Sequence, residues 1–364
     1  MNPSRLRLAR KRRQCTQREL AELAGLHERA VKAYEAGEYE PTMETMERIQ
    51  AVLKFPAEFF EGDDLEEPLP DAASFRALTK MSARQRDAAL SQGALALHLN
   101  KWFERRFELP AASLPDLSDE TSPEAASETL RATWGLGELT IRNMIHLLEA
   151  KGVRVYSLAV NAREVDAFSM WKGTTPFIFL NCYKSSERSR FDAAHELGHL
   201  VLHRQGVPQG PEAEREANRF ASAFLMPSGS IHAHVPLFPT VEELVKIKRV
   251  WITSVAAVNH RFHELGLIRD WHYRRLCVEI AKRGFRSAEP EEAPRETSLL
   301  VPKLLAALQQ EGISRARIAA ELGIPIAELR ELLFGLAMTD IDGGRTEAAS
   351  RGPGATQPGL HRIK

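Results

Sequence analysis

His195-Glu196-Leu197-Gly198-His199 decides how this 364-residue chain is read. On a helix, residues four apart lie one above the other, so both imidazoles reach one metal ion while Glu196 points at its open position. The surrounding Phe191-Asp-Ala-Ala-His-Glu-Leu-Gly-His-Leu-Val-Leu-His203 has Phe191, Ala194, Leu197 and Val201 at helical spacing, which turns both histidines toward the domain interior. Upstream, Thr175-Pro-Phe-Ile-Phe-Leu-Asn181 reads as a buried strand ending at a polar residue. Read as core or capping residues, two histidines around a buried glutamate would be costly without a partner.

A catalytic zinc keeps three protein ligands and one water, so a third ligand belongs within a few tens of residues. Glu212, Glu214 and Glu216 crowd the start of an amphipathic segment that Pro227 ends. Glu214 is preferred, because Asn218 lies one turn further on and can hydrogen-bond a ligand histidine. Glu216 is the runner-up, beside the apolar stripe of Ala217, Phe220 and Ala221. The remaining acids suit a helix N-terminus. His203 reads as a helix-end or outer-shell residue, since three ligands from one straight helix do not close around one ion. His260, His263 and His272 have no ligand spacing; one of them is a candidate donor to a tetrahedral oxyanion.

Three further stretches flank the pentapeptide motif: Val165-Asp-Ala-Phe-Ser-Met-Trp171, Phe179-Leu-Asn181, and Glu214-Arg-Glu-Ala-Asn-Arg-Phe-Ala-Ser-Ala-Phe-Leu-Met-Pro227. With them, residues 122–285 resemble the ImmA/IrrE-type zinc metallopeptidases. The resemblance implies an endopeptidase that cleaves a transcriptional repressor, with zinc held by His195, His199 and Glu214. Such a zinc lowers the pKa of water and polarises the scissile carbonyl, and Glu196 takes and returns the proton. Strand addition of an extended substrate onto Phe177–Leu180 is a further expectation.

The amino terminus carries a second motif. Short periodic helices separated by Gly25 and Gly37, with Thr16-Gln17 opening the second, fit a bundle of four or five helices. This region resembles the Cro and phage-repressor (XRE) type of helix-turn-helix. Seven basic residues, Arg5, Arg7, Arg10, Lys11, Arg12, Arg13 and Arg18, precede the first acid, Glu19, and form a positive edge suited to phosphates. Gln17 is the expected phosphate anchor, and the third helix would present His27, Glu28, Arg29 and Lys32 to the major groove. The family pattern pairs Arg10 with Glu35 as a structural ion pair.

Composition limits these readings. With 49 basic and 49 acidic residues there is no global charge for nucleic acid, so the basic signal is local. Cys15, Cys182 and Cys277 lack disulfide or metal spacing, no apolar run approaches a membrane span, and the start lacks a signal peptide's apolar core; a soluble cytoplasmic protein, away from membranes, is expected.

The fold expected is mainly α: an N-terminal helix-turn-helix bundle, a central α+β zincin-like domain with a small sheet, and a C-terminal helical unit. Its divisions are 1–62 helix-turn-helix, 63–121 linker and connecting helix, 122–285 metallopeptidase, 286–298 acidic linker, 299–340 helical unit and 341–364 disordered tail. The connecting helix suits either dimerisation or docking within the chain, and the C-terminal unit suits packing or a protein partner better than DNA. The function expected is a regulator that binds operator DNA and cuts a repressor, with a homodimer as the assembly such folds commonly form on paired half-sites. The other class is a DNA-binding regulator whose metallopeptidase-like domain senses or dimerises without cutting.

Overall fold

The computed structural model describes residues 1–68, 82–158, 167–181, 183–204 and 210–333, together with a two-residue strand at 361–362. Four helices open the chain: α1 (Pro3–Arg12), α2 (Gln17–Ala24), α3 (Glu28–Ala36) and α4 (Met43–Leu53). Thr16 and Glu19 form a reciprocal capping box at the start of α2. Gly25 and Gly37 end α2 and α3 at φ 66° and 74°, where a Cβ would be strained. A 3-10 turn at Ala57–Phe60 closes the bundle with buried Phe59 and Phe60.

Next, α5 (Ala83–Glu104) is buried along most of its length, so it docks within the chain. A short β1 (Phe107–Glu108), α6 (Pro123–Thr133) and α7 (Met144–Ala150) lead to β2 (Arg154–Ser157), β3 (Ala167–Lys172) and β4 (Thr175–Leu180). The sheet order is β2-β4-β3, with β4 parallel to β2 and antiparallel to β3. Strand side chains alternate between faces, and both faces here are covered. Ile178 and Leu180 join one core and Phe177 and Phe179 the other, which is why this strand reads as an unbroken apolar run.

The core on the Ile178 side holds α8 (Ser186–Leu202), α9 (Pro211–Leu225), α10 (Ser228–His232), α11 (Val241–Trp251), α12 (Val255–Glu264) and α13 (Asp270–Lys282). The last helices, α14 (Leu300–Gln310), α15 (Arg315–Leu322) and α16 (Ile326–Leu333), fold back onto the Phe179 side. There Leu304, Leu322 and Leu332 share one apolar core with Leu6 and Leu20 of the N-terminal bundle and Leu95 of α5. A two-residue β5 (His361–Arg362) pairs antiparallel with β1. The rest of the tail, Cys182, and Val165-Asp166 lie outside the described residues. Among the described residues no helix is long and apolar enough to cross a membrane.

Three sequence readings change. The basic run is not a free edge. Arg5 donates to the Asp63 carbonyl at 2.6 Å, Arg7 to the Glu35 carbonyl at 2.8 Å, and Arg10 meets Glu35 at 2.5 Å. Lys11 meets Asp87 at 3.3 Å and Arg18 meets Glu22 at 2.8 Å. Arg12 pairs with Glu328 at 2.8 Å and also with Glu331, while Arg13 pairs with Glu328. Several of these carboxylates come from outside the bundle, so the local sequence could not show them.

The acidic stretch read as a linker at 286–298 is a strap across the central domain. Its carboxylates cap helix N-termini, where unpaired backbone N–H groups and the dipole favour negative charge. Glu289 accepts from Val255 N of α12 at 2.7 Å, Glu292 from Ser186 N of α8 at 3.1 Å, and Glu296 from Met144 N of α7 at 2.7 Å. Glu296 also pairs with buried Arg190.

Finally, the sequence reads as separate helices over 241–246 and 250–265, but the first runs unbroken to Trp251 and the break falls at Ile252, which takes φ 55°. Lys248 lies inside α11, buried against Glu187 at 2.8 Å, an attraction that periodicity does not record.

Candidate metal centre and nucleic-acid face

The centre forms where α8 and α9 cross. Gly198 permits the approach: a Cβ there would lie 3.0 Å from Phe220 Cδ1 and 3.3 Å from Ala217 Cα. With α9 this close, Glu214 in its first turn reaches the two histidines. The Nε2 atoms of His195 and His199 are 3.1 Å apart. Glu214 Oε2 is 3.5 Å from His195 Nε2, and its Oε1 is 3.4 Å from His199 Nε2. Among the described residues these three are the group of three possible ligands that converges on one point.

The outer nitrogens are engaged elsewhere. His195 Nδ1 is 3.1 Å from Asn218 Oδ1, and His199 Nδ1 is 2.9 Å from His203 Nδ1. With both Nδ1 atoms protonated to make these bonds, two lone pairs and a carboxylate face one another, an arrangement that calls for a cation. The separations also suit a small tetrahedral ion, whose ligand–ligand edges are about 3.3 Å for bonds of about 2.0–2.1 Å. The donor set of two imidazoles and a carboxylate therefore fits zinc.

Titration behaviour points the same way. Burial opposes charge on His195, but the Glu214 hydrogen bond and the charges of Glu196, Glu214 and Asp192 together hold its pKa above the usual imidazole value. For His199 burial dominates, and with the neighbouring histidines it lowers the pKa to about 4 despite Glu214. Burial pushes Glu214 up, yet its close approach to both histidines, which favours charge on the carboxylate, holds it well below the usual carboxylate range. The cluster thus favours one added positive charge and resists a second.

Glu196 is 3% exposed, and Ser169 Oγ of β3 donates to its Oε2 at 2.7 Å. Sequence reasoning gave Ser169 no role; its buried position on a strand beside the motif was the available sign. Trp171 Nε1 donates to the Leu200 carbonyl at 3.0 Å, fastening the same strand to α8. The expectation that Phe177–Leu180 pairs with a substrate is corrected here: β4 lies between β2 and β3, so both its edges are occupied. Among the described residues β3 is the sheet edge beside Glu196.

The other histidines and acids weighed from the sequence make other contacts. Glu216 meets His203 Nε2 at 2.9 Å, and Glu212 pairs with Arg215. His263 meets Asp270 at 2.7 Å, His272 meets the Pro239 carbonyl at 2.9 Å, and His260 is exposed.

In the N-terminal bundle, His27 immediately precedes α3 without a side-chain capping bond, and it, Arg29 and Lys32 are exposed, while Glu28 is half-buried and pairs with Lys32 at 2.6 Å. Gln17 opens α2 and donates to Glu35 Oε2 at 2.8 Å, the carboxylate that Arg10 also holds. This bond orients Gln17 at the helix start. The four residues expected on α3 thus lie at its first turns.

No curated protein matches the chain. Residues 6–60 match the helix-turn-helix family, and residues 148–263 match the peptidase M78 family, described as the IrrE N-terminal-like domain. The chain therefore joins a helix-turn-helix domain of the XRE type to a metallopeptidase-type domain of the IrrE kind, a pairing that supports a DNA-binding regulator.

Proposed function

We infer that the chain is a zinc-dependent endopeptidase that cleaves a transcriptional repressor in the cytoplasm and so induces genes, its DNA-binding domain holding it near the operator. The observation that carries this reading is the convergence of His195, His199 and Glu214 with Glu196 on the same helix. Bound there, zinc would polarise the scissile carbonyl and acidify the attacking water. His195, His199 and Glu214 hold the ion, with Asn218 fixing the His195 ring. Glu196 takes the proton of the attacking water and later delivers it to the leaving amine, while Ser169 keeps its carboxylate in place. Gln17, His27, Glu28, Arg29 and Lys32 form the DNA-reading face.

The test is incubation of the zinc-supplemented protein with each repressor of its own genome, beside Glu196→Gln. Cleavage of one repressor by the wild type, reduced at least about 100-fold in the variant, is expected from loss of the general base. If both leave every repressor intact, the domain is a sensor or dimerisation module instead.

A further inference from the structure

The metal reading explains His195, His199 and Glu214 but leaves a second group beside them. His203 is the residue that ends α8, its side chain 9% exposed, and Glu216 projects from α9 two residues beyond Glu214. Their atoms form a continuous line: His199 Nδ1 to His203 Nδ1 at 2.9 Å, then His203 Nε2 to Glu216 Oε2 at 2.9 Å. One proton assignment satisfies the line with every ring neutral. His199 donates from Nδ1, His203 accepts at Nδ1 and donates from Nε2, and the Glu216 carboxylate accepts. The same assignment leaves His199 Nε2 as a lone pair aimed at His195 and Glu214.

We propose that His203 and Glu216 form an outer arm that selects the metal-binding tautomer of His199 and sets the affinity of the centre. The arm is the counterpart of Asn218 on His195, but it differs in kind. Asn218 supplies a neutral acceptor, whereas the arm ends on a carboxylate, whose charge polarises the bonds before it and makes His199 a stronger donor to the ion than it would be without the arm. Glu216, one of the three acids weighed as ligand, is thereby assigned to positioning. The arm also ties the end of α8 to the start of α9 across the centre, so the rings are held before an ion arrives.

This inference rests on the metal reading, and its test separates the two. Zinc affinity of the full chain is measured by competition with a chromophoric chelator for the wild type, His195→Ala, His203→Phe, Glu216→Ala, Glu216→Gln and Glu212→Gln. His203→Phe and Glu216→Ala are expected to weaken zinc by about 10- to 100-fold. Glu216→Gln, which can still accept from His203 but lacks the charge, should fall between Glu216→Ala and the wild type. Glu212→Gln, which removes the same charge from the same helix outside the line, should match the wild type. Thermal unfolding of the metal-free Glu216 variants should stay near the wild-type value, because Glu216 is about a third exposed. Zinc binding by the wild type that His195→Ala abolishes, with Glu216→Ala and His203→Phe unchanged, overturns the arm alone. Equal losses in Glu216→Ala and Glu212→Gln also overturn it, in favour of general electrostatics. Wild type that binds no zinc through His195 overturns the metal reading and the arm with it.

Discussion

At the scale of single residues, the centre depends on a glycine as much as on its ligands. Gly198 lies inside the His195–His199 spacing, one residue before His199, and is the residue α9 packs upon. A methyl at 3.0 Å from the Phe220 ring and 3.3 Å from the Ala217 backbone must push the helices apart, because neither neighbour is a flexible end. Gly198→Ala should therefore lose stability by about 1–3 kcal/mol despite the better helix propensity of alanine. It should weaken zinc at the same time, since Glu214 moves with α9. Urea unfolding and chelator competition read the two effects; a variant as stable as the parent would show that the crossing can relax. The histidine pair was legible because helical geometry alone places residues 195 and 199 together. Ser169 was not, because its partner Glu196 lies 27 residues away and strand register, not spacing, aligns them.

At the scale of elements, the strap shows why composition misleads. Acidic, proline-bearing sequence at 289–296 has the marks of a solvated linker, yet its carboxylates satisfy orphan N–H groups of α7, α8 and α12. Which helix ends need an anion is a property of the assembled fold, so no local pattern announces it. Glu296 is the critical member. It faces Arg190, whose side chain is 1% exposed, and it also caps α7. Removing it leaves a buried guanidinium without its counter-charge, so Glu296→Ala should cost about 3–5 kcal/mol in urea unfolding. Arg249→Ala breaks an exposed pair with Glu291 from the same strap and should cost under about 1 kcal/mol. Comparable losses in the two variants would mean that the strap acts as one surface patch rather than through its buried anchor. By contrast, the helices of the N-terminal bundle were readable because Thr16, Gly25 and Gly37 mark their ends within a few residues.

At the scale of the whole molecule, the C-terminal helices make the DNA-binding domain part of a larger body. Glu328 of α16 meets both Arg12 and Arg13, some 315 residues away in sequence, and apolar side chains of α14–α16 complete the core under α1 and α5. The sequence suggested the helices but not where they dock, since partners this distant leave no periodic trace. His98 lies at this junction. Its Nε2 lies 3.1 Å from the Leu322 carbonyl, so the neutral ring must carry its proton there. Burial, reinforced by nearby Arg5, Arg105 and Lys101, outweighs the favourable carbonyl contact and lowers its pKa below the usual 6.5. The sign of the pH effect follows. Well above pH 6.5 the ring is neutral whether the chain is folded or not, so His98 adds no pH dependence to stability there. As pH falls below that value the unfolded chain binds the proton first, so the junction weakens toward the lower folded pKa. His98→Gln can still donate to the Leu322 carbonyl but does not titrate. Its urea midpoint should fall less than that of the wild type between pH 7.5 and 5, with the two converging in slope above pH 7. Parallel curves over the whole range would show that the junction opens to water and that His98 titrates as an exposed residue.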